Sequence, residues 1–238
     1  MKKSGKIILT FIIVCFICCI GCILLRSFPR NSGGKNIHLQ SIESDGKILT
    51  IEPGEHWQGK MKVFIFSIRK TPQLAVWIEN SQGEYVSTIF ATGKSAKNNW
   101  QSAPREGRPE TLPVWNHKRQ NNSEQVDIVS SATPKGAVNI QMDNRSLTDG
   151  QEYNIYLEIN HSFDYNVSWT ENNSGVNGQP SLIYHAKLTA GSFQGTSEKI
   201  NFIPIGHGSV NGSDGNIVYK FDSLTTALTI IKDAYIVK

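Results

Sequence analysis

From residue 46 onward, apolar and polar residues alternate with the two-residue period of β-strands. The clearest run places Leu74, Val76 and Ile78 on one face, and a polar loop around Gly83 leads to a second apolar run at 85–92. A glycine in a short polar loop between two such runs predicts a β-hairpin. Further strands are predicted over segments with alternating or β-branched residues: 47–52, 61–68, 138–142, 153–160, 165–170, 181–190, 198–205, 216–221 and 229–237.

The run 153–160 shows how such a strand should lie. Its odd-numbered residues are apolar, whereas its even-numbered residues are Asn154, Tyr156, Glu158 and Asn160. This pattern is typical of a sheet with one buried face and one face in water. No segment shows helical periodicity over ten residues. Roughly nine or ten short strands with regular turns therefore predict an all-β fold, an Ig-like β-sandwich, with an open barrel as the alternative.

The N-terminus follows a different pattern. Ile7–Leu25 contains nineteen residues without a charge. As a helix this segment would span roughly 28 Å, close to the thickness of a hydrocarbon core. We predict an uncleaved signal anchor, with a lipoprotein signal modified at Cys22 as the alternative and full secretion as a third, less favoured outcome. The predicted organisation is a signal anchor or lipoprotein signal over 1–30, a linker over 31–45 and an extracytoplasmic, membrane-tethered domain over 46–238.

Charge and cysteine usage exclude several classes of protein. Five of the 24 basic residues flank the apolar segment, so the remaining 19 are balanced by 20 acidic residues. A nearly neutral domain without a basic stripe argues against nucleic-acid binding. All four cysteines lie within the apolar segment, at positions 15, 18, 19 and 22. The domain therefore has neither a disulfide framework nor a thiolate metal site.

Residues 93–137 interrupt the strand rhythm and predict one long ordered insertion. Loops of this length are uncommon unless they are functional or disordered, and this one is too aromatic to be disordered. Arginine offers a bidentate fork to phosphate or carboxylate, and tryptophan offers a stacking face. A small anionic ligand site is therefore one hypothesis, and the alternative is that these side chains only pack the end of the sandwich. The candidate residues are Trp100, Arg105, Arg108, Trp115 and His117.

Seven short motifs resemble a bacterial family called domain of unknown function 2271: Ala75–Glu79, Tyr85-Val86, Arg108–Glu110, Leu112–Trp115, Ser131–Pro134, Gly178–Ser181 and Leu224–Ala227. The resemblance extends over nearly all of the chain after the apolar segment. It implies an envelope-located domain without an established activity. Members are discussed beside membrane redox and flavin-transfer systems, so the resemblance implies a membrane redox protein or a flavin transferase as a partner.

A second resemblance concerns residues 127–133. Asp127-Ile128-Val129-Ser130-Ser131-Ala132-Thr133 is similar to the Asp-x-x-Ser-Gly-Ala-Thr motif of extracytoplasmic flavin carriers, in which the last threonine bears FMN through a phosphoester. The resemblance implies Thr133 as the attachment residue and Asp127 as the motif's acid. Ser131 stands where the motif has glycine, and Pro134 follows directly. A turn rich in serine and threonine is the alternative interpretation.

No known catalytic motif is present, so we predict no enzyme. The histidines are scattered, so we predict no metal site, although the fold could bring His161, Asp164, His185 and His207 together as ligands. The leading hypothesis is a non-catalytic, membrane-tethered accessory to an envelope redox or assembly system. A covalent FMN carrier and an anionic-ligand binding domain are the two alternatives.

Overall fold

The computed structural model of the protein describes residues 46–63, 66–97, 108–120, 130–131, 136–142, 147–191 and 199–237. The strands are β1 (Ile48–Pro53), β2 (Gly59–Val63), β3 (Phe66–Lys70), β4 (Gln73–Asn80), β5 (Tyr85–Thr92), β6 (Ser130–Ser131), β7 (Val138–Gln141), β8 (Glu152–Asn160), β9 (Leu182–Thr189), β10 (Ile200–Asn201), β11 (Ile203–His207) and β12 (Ile231–Val237). The helices are α1 (Gly93–Lys97), α2 (Pro113–Gln120) and α3 (Glu171–Ser174), with 3₁₀ turns at Pro109–Thr111 and Thr226–Thr229.

The strands form two main sheets and a small hairpin. One sheet has four strands in the order β10-β12-β1-β7, and the other has six in the order β11-β9-β8-β4-β5-β6. Strands β2 and β3 pair with each other. One buried cluster contains apolar side chains from both main sheets, including Leu49 and Ile236 from the first and Val76 and Leu157 from the second. The fold is therefore mostly β, and its two main sheets share a core.

The predicted hairpin at 73–92 is confirmed, since β4 and β5 pair antiparallel. The expectation that one face of β8 is exposed to solvent is only partly right. Tyr156 is half-buried, but Glu158 and Asn160 are buried on the face that was expected to meet water. A second buried cluster explains this, because Val114 and Trp115 of α2 pack there against the sheet. Half of the outer face is thus covered by the insertion.

Three strand predictions were wrong in detail. The run 216–221 is not a strand and makes only an isolated bridge between Val218 and His207. The run 61–68 falls within a hairpin, because the chain reverses between β2 and β3. The segment 165–170 is not a strand, because the Asn166 side chain accepts hydrogen bonds from the backbone N–H groups of Ser168 and Trp169 at 2.9 and 2.8 Å. A local side-chain bond of this kind replaces the sheet ladder with a tight turn.

The insertion is ordered in the parts that are described, and it contains short helices. Pro109 begins a 3₁₀ turn. Pro113 is the first residue of the eight-residue helix α2. Proline fits the first turn of a helix, where its missing N–H would have no partner in any case.

The predicted anchor Ile7–Leu25 and the lipidation candidate Cys22 lie outside the described residues. Within the part of the chain that is described, no helix is long and apolar enough to span a bilayer.

Candidate functional site

Several strands of the six-stranded sheet begin or end at the same end of the sheet, which we call the polar end. Gln73 begins β4 and pairs with Asn160, the last residue of β8, while Thr92 ends β5. The Thr92 hydroxyl donates to the Gln73 side chain at 2.8 Å. Because these strand ends meet, the loops that follow them bring residues distant in sequence into contact.

Lys70 is the most unusual residue at the polar end. Its side chain is half-buried, and its Nζ lies 3.8 Å from the centroid of the Phe163 ring. Among the described residues it makes no ion pair with a carboxylate. Burial, together with the positive charges of Lys94 and Arg108, lowers the pKa of Lys70 to about 8. A buried amine beside two other cations is costly to keep charged unless an anion joins it.

We call Lys70, Lys94 and Arg108 the sheet-end cation cluster. Lys94 is exposed in α1, whose position is fixed by contacts of Ser95 and Thr92 with Gln73. After burial, Lys94 and Arg108 are the two charges that lower the pKa of Lys70, so both lie within electrostatic range of its ammonium group.

Phe163 supports this region from below. It is the one non-glycine residue with positive φ in the described ranges, at 64°. Such a backbone costs energy for a bulky residue and persists only where the surroundings enforce it. The Phe163 N–H donates to the Val176 carbonyl at 2.8 Å, and its ring lies 6.4 Å from that of Tyr165 in an edge-on contact. The strained turn therefore holds an aromatic ring beneath the Lys70 ammonium.

Arg108 was a predicted ligand residue, and its guanidinium bonds to three protein groups. It donates to Glu110 at 2.9 Å, to the Ser162 hydroxyl at 2.8 Å and to the Asn177 side chain at 2.9 Å. These contacts fasten the segment before α2 to the loops after β8 and α3.

Trp115 and His117 lie on α2 and point to other partners. Trp115 is fully buried, and its indole N–H donates to Thr88 on β5 at 2.9 Å. The His117 ring bonds to the Gly212 carbonyl at 3.1 Å. In this structure Trp115 packs the sheet and presents no open stacking face. The remaining predicted site residues, Trp100, Arg105, Asp127 and Thr133, lie outside the described residues.

A second unusual group is Glu158, whose side chain is completely buried. One carboxylate oxygen accepts from the Trp115 N–H at 2.8 Å, and the other accepts from the Ser181 hydroxyl at 2.6 Å and the Val114 N–H at 3.3 Å. Burial raises the pKa of Glu158 to about 7, although these three hydrogen bonds lower it. Glu158 thus holds the first turn of α2 against the sheet.

The histidine and aspartate near the polar end serve local structure. The His161 ring bonds to the Trp57 carbonyl at 3.0 Å, while Asp164 accepts from Thr226 at 2.6 Å and from Gln179 at 2.8 Å. Burial lowers the pKa of His161 and raises that of Asp164. No group of three or more histidine, cysteine, aspartate or glutamate side chains in the described ranges is arranged to hold a metal ion.

Sequence reasoning missed Lys70, Lys94 and Phe163. Lys70 follows Arg69 at the end of a predicted strand, and such a basic pair is too common to mark a site. Phe163 lies 93 positions further along the chain, so nothing local indicates that its ring meets Lys70.

Comparison with known proteins gives one match. The family model described as "Predicted periplasmic protein (DUF2271)" matches residues 67–174, a range that includes the sheet-end cation cluster and Glu158. No curated protein and no solved structure matches the chain. The match is narrower than the expected resemblance, since the motifs at 178–181 and 224–227 lie beyond it. It does not confirm the flavin-carrier motif ending at Thr133, which stays a prediction.

The description of the family as periplasmic agrees with the predicted extracytoplasmic location and says nothing of membrane attachment. Over residues 67–174, the chain matches the family of predicted periplasmic proteins called DUF2271.

Proposed function

We propose that this chain is an envelope protein whose Ig-like β-sandwich is tethered to the membrane by Ile7–Leu25 and binds a small anionic ligand at the sheet-end cation cluster. The ligand class is a phosphate or a carboxylate. The observation that carries the proposal is the half-buried Lys70 ammonium, which has no carboxylate partner among the described residues and has two further cations beside it.

The chemistry of the cluster favours an anion over a neutral ligand. Removing the Lys70 amine from water penalises its charged form, and the charges of Lys94 and Arg108 add repulsion. An anion bound between them would offset both costs. Arg108 is already oriented by Ser162 and Asn177, so little side-chain entropy would be lost when it meets a ligand.

The proposed biological role is that of a non-catalytic accessory to an envelope redox or assembly system. An anionic ligand site fits such a role, since many envelope partners and cofactors carry phosphate or carboxylate groups. Affinity purification of the full chain from its own membrane should recover a membrane oxidoreductase or a flavin enzyme. Recovery of neither would count against the redox version of this role without affecting the ligand site.

Titration with inorganic phosphate tests the ligand site directly. The full chain in a nonionic detergent should bind phosphate, and Lys70→Met should weaken binding by about tenfold or more, since a hydrogen bond to a charged group contributes roughly 1.5–3 kcal/mol. Lys70→Met should not lower the free energy of unfolding, because it removes an uncompensated buried charge. Lys187→Met is the matched control, since Lys187 is 61% exposed and paired with Glu152.

The pH dependence gives an independent test. Phosphate prefers the protonated amine, so affinity should fall as pH rises through the Lys70 pKa of about 8. Lys70→Met should remove this fall. Equal phosphate affinity in the native chain and in Lys70→Met would refute the proposed site.

A further inference from the structure

A tight loop beside the cation cluster presents an apolar side chain to solvent. Val167, at the loop's tip, is 96% exposed. The Asn166 side chain holds the loop on both sides: its oxygen accepts from the Ser168 and Trp169 N–H groups, and its nitrogen donates to the Ser223 carbonyl at 2.9 Å. The Trp169 indole also donates to the Ser223 hydroxyl at 3.1 Å. These hydrogen bonds hold the loop in place and keep Val167 exposed to solvent.

Two further exposed apolar side chains belong to the same surface. Tyr165 is 37% exposed, and Val176 is 43% exposed. The Tyr165 hydroxyl donates to the Gly175 carbonyl at 2.8 Å, which joins the loop to the segment that carries Val176. A single exposed apolar residue is ordinary, but three on one fixed surface are a feature of binding sites. We call Tyr165, Val167 and Val176 the apolar rim.

The apolar rim borders the sheet-end cation cluster. The Tyr165 ring lies 6.4 Å from the Phe163 ring, which in turn lies 3.8 Å from the Lys70 ammonium. Arg108 reaches the same surface through Ser162 and Asn177, the residues that flank Phe163 and Val176 in sequence. Burial and the charge of Glu171 raise the pKa of Tyr165, and Glu110 pairs with Arg108 at 2.9 Å, so two acids also belong to this surface. Cations and apolar side chains therefore lie side by side.

We propose that the apolar rim docks on a lipid bilayer and that the anion held by the sheet-end cation cluster is a lipid headgroup. This proposal rests on the proposed function and names its ligand. Aliphatic and aromatic side chains enter the boundary between headgroups and acyl chains, while lysine and arginine attract anionic headgroups. The predicted tether keeps the domain next to such a surface, so even weak docking would be favoured by a high effective concentration.

The charge of the cluster favours a lipid surface over a protein partner. Protein interfaces are depleted of lysine, whereas surfaces that dock on anionic lipids combine lysine or arginine with a few protruding apolar side chains. A second copy of the chain is the other occupant, and the experiment separates it from lipid.

Hydrogen exchange on the full chain in lipid nanodiscs tests the proposal. One set of nanodiscs contains phosphatidylcholine alone, and the other contains equal amounts of phosphatidylcholine and phosphatidylglycerol. With phosphatidylglycerol, amide exchange in 163–169 and 175–177 should slow on the order of tenfold. Phosphatidylcholine alone should give little slowing. Val167→Ser should abolish the effect, and Val218→Ser is the control, because Val218 is 40% exposed on another segment.

The possible outcomes separate the two proposals. Phosphate binding in detergent without any exchange difference between the two nanodiscs would refute membrane docking and leave the ligand site standing. Equal slowing in both nanodiscs would also refute it, because no headgroup would be recognised. Slowing that depends on protein concentration and not on lipid would identify a second copy as the occupant. Absence of phosphate binding in the detergent titration would refute the proposed function itself.

Discussion

Replacing Glu158 with glutamine should stabilise the protein above pH 7 and remove a large part of its pH dependence. The carboxyl group is completely buried, and burial raises its pKa from 4.5 to about 7. Because the folded-state pKa lies above the unfolded value, the folded state holds the proton more tightly between these two values. The stabilisation is fully present below pH 4.5 and is lost as pH rises through about 7.

The magnitude follows from the shift. One pKa unit corresponds to roughly 1.4 kcal/mol, so ionisation of Glu158 should lower the free energy of unfolding by about 3 kcal/mol between pH 4.5 and pH 8. Glutamine cannot ionise, and its carbonyl can still accept from the Trp115 N–H. Its amide nitrogen would disturb the contacts with Ser181 and Val114 at a cost of about 1 kcal/mol. The net gain from Glu158→Gln at pH 8 should therefore be about 2 kcal/mol.

Urea unfolding between pH 5 and pH 8, followed by tryptophan fluorescence in a nonionic detergent, measures this difference. Glu152→Gln is the control on the same strand, since Glu152 is half-exposed and paired with Lys187. The difference between Glu158→Gln and the native chain should grow with pH, whereas that for Glu152→Gln should stay small. Parallel curves for Glu158→Gln and the native chain would refute the reasoning, because they would show that the hydrogen bonds from α2 and Ser181 fully offset the cost of burying the charge.

Three further predictions concern other parts of the molecule. Gly208→Ala should lower the free energy of unfolding by about 1–3 kcal/mol through overpacking, because its new Cβ would lie 2.6 Å from the Ser181 hydroxyl and 2.7 Å from Pro113. Gly136→Ala is the control in the same urea assay, and it should be nearly neutral because the space around Gly136 is open. Arg108→Lys should lower the free energy of unfolding by about 2–3 kcal/mol, because lysine cannot reproduce three directed hydrogen bonds. Arg69 is exposed, and a loss no larger than that caused by Arg69→Lys would contradict this prediction. Mass spectrometry after coexpression with a flavin transferase should show FMN on Thr133 if the carrier alternative holds, and an unmodified peptide would exclude it.

The alternation of residues was enough to predict the strands that build the core. The hairpin β4–β5 and the strand β8 follow it closely, because the two-residue period assigns each side chain to a face before any contact is formed. The apolar segment Ile7–Leu25 and the balanced charge of the remaining chain are likewise properties of composition, and they carry the predicted envelope location. The family resemblance was also recognised from short motifs, and its match is confirmed over residues 67–174.

Tertiary structure decided which polar residues became unusual. The pattern placed Glu158 on a wet face, but α2 folds back over that face and buries the carboxylate, and no local period can predict this long-range packing. Lys70 and Phe163 meet only because the end of β3 and the end of β8 reach the same edge of the molecule. Sequence by itself therefore determined most of the core strands and the mostly β class of fold, and it predicts the tether. The sheet-end cation cluster, and with it the proposed ligand site, arose from contacts between distant segments, because burial and charge repulsion exist only once those segments are packed together.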